Sequence, residues 1–149
     1  MKIEDAIKSK NMSLGSRTSI NIMYTDNVIQ EKSYEIFKNF DLSSQQYNVL
    51  RILRGQKGKP ANLYTIQERM IHKMSNTTRL VDKLILKGLV SRIICEKNRR
   101  KVEITITEKG LELLNEMDTI VENNNKELIK NLTIEEAETL NFLLDKLRG

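Results

Sequence analysis

The sequence predicts a mainly α-helical protein with a small β-hairpin wing: a winged helix-turn-helix with long flanking helices. Three observations lead there. Two short helix-forming segments, Asn62 to about Met70 and Ser75 to Gly88, are separated by only a few residues around His72 and Lys73, the spacing of a helix-turn-helix. Two β-forming runs follow at once, Leu89 to Cys95 and Val102 to Ile106, with a polar tip between them. Long stretches with apolar residues at helical spacing stand on either side. A single Pro and six Gly among 149 residues suit a helical chain, and this length fits one domain, 1–149, with a core of its own.

The first long helix is expected from about Ser16 to Asn39. Ile20, Tyr24, Val28 and Phe37 are among its apolar positions, and Ile22, Met23, Ile29 and Ile36 widen the stripe, so burial on more than one side is expected. Asp41-Leu42 breaks the pattern. Ser43-x-x-Gln46 has the form of a capping box, in which the Ser oxygen accepts from the backbone while Gln reaches back. The helix it opens carries Tyr47, Leu50 and Leu53, and Gly55 to Pro60 reads as a loop. Asn62 suits the N-cap of the next helix, with Leu63, Ile66 and Met70 inward. Ser75 is read as the cap of the helix after it, with Leu80, Leu84 and Val81 inward and Gly88 just past its end.

The second β-run alternates, Val102, Ile104 and Ile106 against Lys101, Glu103 and Thr105. Glu96 to Arg100 makes the hairpin tip, so Arg99 and Arg100 are expected there. A long helix from Thr107 to about Asn131 follows, with Leu111, Leu114, Met117, Val121 and Leu128 at helical spacing. Thr133-x-x-Glu136 is a second capping box, opening a final helix with Ala137, Leu140, Leu144 and Leu147 on one face. The winged module occupies about 42–106. The flanks, about 1–40 and 107–149, carry more apolar surface than a monomer of this size covers, and imply a helical homodimer interface.

Charge is unevenly spread. Arg69 to Lys101 holds ten basic and two acidic residues, a net +8 that leaves −3 of the total +5 to the rest of the chain. A basic middle inside a mildly acidic frame fits a polyanion, here double-stranded DNA. Catalysis and metal binding find little support. His72 is the only histidine and Cys95 the only cysteine, too few for the usual zinc site, and no Ser-His-acid set or Gly-rich phosphate loop is present. The expectation is a protein that is not an enzyme and uses no cofactor. Cys95 has no partner for an internal disulfide, Met1 to Asn11 lacks the apolar block of a signal peptide, and no apolar stretch reaches the ~20 residues of a membrane span. A cytoplasmic protein without membrane association is expected.

Four segments occur in order. They are Leu42 to Leu50; Thr78-Arg79-Leu80-Val81-Asp82-Lys83-Leu84 with Lys87-Gly88-Leu89-Val90; Asn98-Arg99-Arg100; and Ile106-Thr107-x-x-Gly110. Together they resemble the multiple antibiotic resistance regulator (MarR) family of bacterial transcription factors, over about Leu42 to Gly110. They are similar to its second-helix start, recognition helix and exit, wing tip, and entry to the following helix. Position 98 is Asn where the family usually has an Asp that could pair with a neighbouring Arg. The resemblance implies a regulator that binds a palindromic operator as a homodimer and answers to a small molecule. The family's effectors, often aromatic or phenolic, lie between the dimerisation helices and the DNA-binding lobe, for which Ile20, Tyr24 and Tyr47 are candidates here. Some relatives sense oxidants through a first-helix cysteine, which this chain lacks.

The residues themselves suit DNA. The recognition helix opens with Ser75, Asn76, Thr77 and Thr78, short polar groups where a helix end meets base edges in a major groove. Asn76 can pair bidentately with adenine, and a Thr methyl, as of Thr77, can meet a thymine methyl. Thr78 stays open between a turn role and contact, and Arg79 between guanine and phosphate. Lys73 and Lys83, with Lys87, are phosphate candidates, and Arg99 or Arg100 suits a minor groove or phosphate. Two rival readings remain: an architectural DNA binder of low specificity, against which the polar first turn speaks, and a winged-helix protein-interaction module, against which the +8 middle speaks.

Overall fold

Local hydrogen bonding fixes where the helices begin. Six of the seven start at a Ser, Thr or Asn whose side chain accepts the backbone N–H three residues on: Ser13, Ser43, Asn62, Asn76, Thr107 and Thr133. Both expected capping boxes are complete, Gln46 and Glu136 each reaching back to the cap's N–H. The structure is a computed structural model describing residues 1–149, Arg99 by its backbone alone. The elements are α1 (Ile3–Ala6), α2 (Leu14–Lys38), α3 (Ser44–Gly55), α4 (Leu63–Arg69), α5 (Thr77–Leu86), β1 (Val90–Cys95), β2 (Asn98–Ile106), α6 (Glu108–Leu128) and α7 (Ile134–Arg148). Among the described residues no helix is long and apolar enough to cross a membrane.

One core lies under the winged module. Val49, Leu50 and Leu53 of α3, Ile66 of α4, Val81 and Leu84 of α5, and Ile104 of β2 are buried together. Phe37 at the end of α2 and Leu114 and Met117 of α6 close it from the far side, so the core extends beyond residues 42–106. Across that seam Arg54 of α3 donates two hydrogen bonds of 2.9 Å to the Asp118 carboxylate of α6.

The structure corrects the sequence reading at the start of α5 and at the hairpin, and adds a contact at Ala61. The cap of α5 is Asn76, whose Oδ1 accepts the Arg79 N–H at 3.1 Å, and Ser75 precedes it. The helix thus begins one residue later and turns Thr77, Val81 and Leu84 inward, leaving Leu80 half-buried. The hairpin turn is only Glu96-Lys97, so β2 begins at Asn98 and Arg99 and Arg100 belong to the strand. The register runs Cys95 against Asn98 and then Ile94 against Val102, a bulge that leaves residues 99–101 without direct partners. Lastly, Ala61 exchanges two backbone hydrogen bonds with Ile104, at 2.9 and 2.8 Å, as an isolated bridge beside the two-stranded wing.

The recognition helix is tied to its surroundings at its C-terminal end. Gly88 takes φ +74° just past it, a left-handed conformation that suits glycine. Thr107 donates its hydroxyl to the Gly88 carbonyl at 2.7 Å and its N–H to that of Leu89 at 3.0 Å, while Lys109 reaches the Lys87 carbonyl at 3.0 Å. The Lys87 ammonium bonds the Asp41 carbonyl and pairs with the Asp41 carboxylate at 3.4 Å. Gly110 sits so close that a Cβ there would lie 2.5 Å from the Leu89 carbonyl oxygen. No side chain fits.

The flanks differ. α7 buries none of its residues, and Ile134, Phe142, Leu143 and Leu147 are exposed on it. An open cavity of about 850 Å³ lies between α1, α2 and α7, with Ile3, Leu14, Ile22, Ile29, Leu140 and Leu144 among its lining.

Candidate nucleic-acid interface

The exposed side of the winged module is made by the first turns of α5, the turn before it and the wing. Asn76, Thr78, Arg79 and Lys83 are all exposed. They share the outer face because α5 commits Thr77, Val81 and Leu84 to the core and the helical repeat sends the intervening positions outward.

Thr77 does not belong with them. It is only 6% exposed, and its hydroxyl donates to the Gln67 side-chain oxygen. Gln67 in turn donates to the Lys73 carbonyl at 2.7 Å, fastening the turn to the helix that follows. The expectation of a thymine contact by Thr77 fails, because the methyl and hydroxyl are spent inside the fold. Asn76 carries a structural duty as well. Bidentate pairing with adenine needs the amide oxygen as acceptor, and that oxygen already commits one of its two lone pairs to the α5 cap; the amide nitrogen is left to donate.

The cations divide into engaged and free. Lys73 donates to the Glu68 carbonyl near the C-terminal end of α4, where a positive charge is favoured. Lys87 is held by Asp41, and Arg92 pairs with Asp82 at 2.8 Å. Among the described residues Arg79, Lys83 and Arg100 form no ion pair. On the wing, the Asn98 side chain accepts the Arg100 N–H at 3.1 Å, so an uncharged residue still shapes the turn there. Arg99 lies outside the described residues as far as its side chain is concerned.

Between the start of α3 and the outer face of α5 is a pocket of about 360 Å³, lined by Gln45, Ser75, Asn76, Arg79, Leu80 and Lys83. The sequence reading missed Gln45. Its signal was the capping box beside it, which fixes where α3 begins, but nothing in the sequence says that this turn faces α5.

The three effector candidates are not brought together. Tyr47 is buried and stacks on Phe37 with ring centroids 4.6 Å apart. Its hydroxyl accepts from Arg51 at 3.1 Å. Tyr24 is exposed and Ile20 half-buried on α2. Phe37 lies about 20 Å along the same helix from Tyr24, at about 1.5 Å per residue, so one small molecule does not span Tyr24 and Tyr47 in a single chain. None of the three lines either cavity. Among the described residues no three His, Cys, Asp or Glu side chains are grouped to hold a metal ion.

Comparison with known proteins places the arrangement. The MarR family model matches residues 42–102. A MarR transcription factor from Planctomyces limnophilus is 32% identical, with a TM-score of 0.71, over 91% of this chain and 98% of that one. Two structures share the fold at lower identity. BpsR of Bordetella bronchiseptica, whose DNA binding is regulated by 6-hydroxynicotinic acid, is 19% identical with a TM-score of 0.81, over 94% of this chain and 99% of its own. The organohalide-sensing regulator RdhR in its 2,4-dichlorophenol-bound form is 21% identical with a TM-score of 0.84, over 93% of this chain and 81% of its own. With a winged module, a cationic outer face and a relative of this identity over almost its whole length, the chain belongs to the MarR family of transcription regulators.

Proposed function

We propose that this regulator binds a palindromic operator in double-stranded DNA as a homodimer, in the cytoplasm, with α5 in the major groove and the wing against the adjacent backbone or minor groove. The observation that carries the reading is the outer face of α5. Its cations Arg79 and Lys83 have no acidic partner among the described residues, and Asn76 and Thr78 stand exposed beside them. Lys73, Arg99 and Arg100 are proposed as further contacts to phosphate or the minor groove. A homodimer is supported by α7, which buries none of its residues within the chain. Two-fold symmetry then calls for two half-sites about one helical turn, ~34–36 Å, apart.

Binding of a small aromatic or phenolic effector is part of the proposal, supported by what BpsR and RdhR respond to. Its seat needs residues of both protomers if Ile20 or Tyr24 is to line it. Selection of bound sequences from a random DNA pool tests the whole. Recovery of one inverted repeat supports it. Recovery of no preference, with binding retained, leaves the architectural reading; no binding at all removes DNA as the partner.

A further inference from the structure

We infer that the pocket between α3 and α5 seats one phosphodiester of the DNA backbone, held by Arg79 and Lys83 with the side-chain amide of Gln45 as a further donor. This rests on the DNA-binding reading above and deepens it: Arg79 is assigned to the backbone and not to a guanine.

Three features of the pocket agree on an anion. Its lining of Gln45, Ser75, Asn76, Arg79, Leu80 and Lys83 contains two cations and no acid. Elsewhere in the module Arg54, Lys87 and Arg92 all have carboxylate partners, whereas Arg79 and Lys83 have none among the described residues. These two stand one helical turn apart, at a spacing where like charges repel and disfavour the helix; an anion between them reverses the sign.

The hydrogen-bonding groups separate a phosphate from a base edge. The Gln45 amide oxygen takes the Ser44 hydroxyl at 3.2 Å, and the Asn76 amide oxygen takes the Arg79 N–H at 3.1 Å. Both amide oxygens therefore have one lone pair committed within the fold, while their nitrogens are left to donate. Reading a base with Asn or Gln uses acceptor and donor together, but phosphate oxygens ask only for donors. Gln45 also stands in the first turn of α3, where the helix field favours negative charge. The volume of about 360 Å³ leaves room for the phosphate oxygens and ordered water. A pocket of donors and cations at the mouth of the recognition helix thus fixes how α5 enters the groove, without carrying sequence information.

The test uses the full chain and duplexes of the selected operator, each with a single uncharged methylphosphonate in place of one phosphate. One position per half-site is expected at which this change weakens wild-type binding on the order of ten- to a hundredfold. The same duplex should barely weaken the Arg79→Ala/Lys83→Ala protein further. Because both side chains serve one phosphate, either single variant should flatten the plot of log affinity against log salt only slightly, whereas the double variant should flatten it by about 0.9 per half-site. Gln45→Glu, which brings a carboxylate to the pocket, should weaken specific and non-specific duplexes alike. Both cations are exposed, and circular dichroism verifies that the variants fold. If Arg79→Ala instead loses discrimination at one base pair and stays sensitive at every methylphosphonate, the seat is refuted and Arg79 reads a base. If wild type binds the operator but no position depends on Arg79 or Lys83, the seat alone falls. If wild type binds no DNA, the functional reading itself falls.

Discussion

The winged module and the terminal helices are built from similar residues to opposite effect. In the module, apolar side chains of α3, α4, α5 and β2 meet each other, and Val49, Leu50, Ile66, Val81, Leu84 and Ile104 are 0% exposed. In α7, leucines at similar spacing meet solvent, and Phe142 is 63% exposed. The first region finishes its interior within one chain. The second has half an interior. A helix that is apolar where nothing covers it keeps its place only with a partner, so stability in the two regions should respond to different variables: sequence alone in one, sequence and protein concentration in the other.

The largest expected effect breaks this contrast at its open side. Leu140→Asp with Leu144→Asp should turn a dimer into a monomer by sedimentation and reduce operator affinity by roughly three decades, toward non-specific binding. A dimer surviving both changes would mean that α7 is not the shared interior. On the closed side, Leu50→Ala should cost about 2–5 kcal/mol, with a midpoint in urea independent of protein concentration if the module unfolds by itself. A concentration-dependent midpoint would join the two regions into one cooperative unit.

Much of this was legible because it is local. Capping boxes at Ser43 and Thr133, the Asn62 cap and the Gly88 exit depend on residues within a few positions of one another, and each was readable from spacing. The misread places depend on contacts distant in sequence. Ser75 and Asn76 are equally good caps in isolation. What selects Asn76 is the burial of Thr77 against Gln67, ten residues back. Ala61 offers no strand signal of its own and is recruited by Ile104. The free and engaged cations are likewise indistinguishable in sequence, since Lys87 is claimed by Asp41, 46 residues away. The family resemblance located the winged module, but it did not sort the side chains on its outer face.

Two smaller effects sharpen the comparison inside the closed region. Asn76→Ala removes the α5 cap and should cost about 1 kcal/mol, whereas Asn76→Ser keeps an accepting oxygen and should be close to neutral. Denaturant titration measures both. DNA affinity that falls equally in the two variants would then report the lost amide donor and not the cap.

The smallest effect lies at the seam. Arg54, through its paired hydrogen bonds, holds the Asp118 carboxyl below the usual carboxylate range; partial burial opposes this, and the charges of Arg54 and Arg51 add to it. A carboxyl whose folded-state pKa is depressed adds stability above its unfolded value, about 3.9, and loses it as pH falls through that value and below. Both side chains are partly solvated, so Asp118→Asn should cost at most about 1 kcal/mol at pH 7. The difference from wild type should shrink as pH falls and vanish once the folded carboxyl is protonated; a difference that persists in acid would make the contact one of shape and not of charge.

Gly110 has a mechanical consequence. With a backbone carbonyl in the space where its side chain would be, and with Thr107 and Lys109 bridging the same junction, the root of α6 and the tail of α5 form a stiff elbow with little slack to absorb a twist. α6 is then a lever of about 30 Å, at about 1.5 Å per residue, and a tilt of about 5° swings its far end through roughly 2.6 Å. In a two-fold pair the gap between the two α5 helices becomes a reading of the angle between the two levers. A molecule that wedges the levers apart changes that gap without touching DNA or the residues that face it.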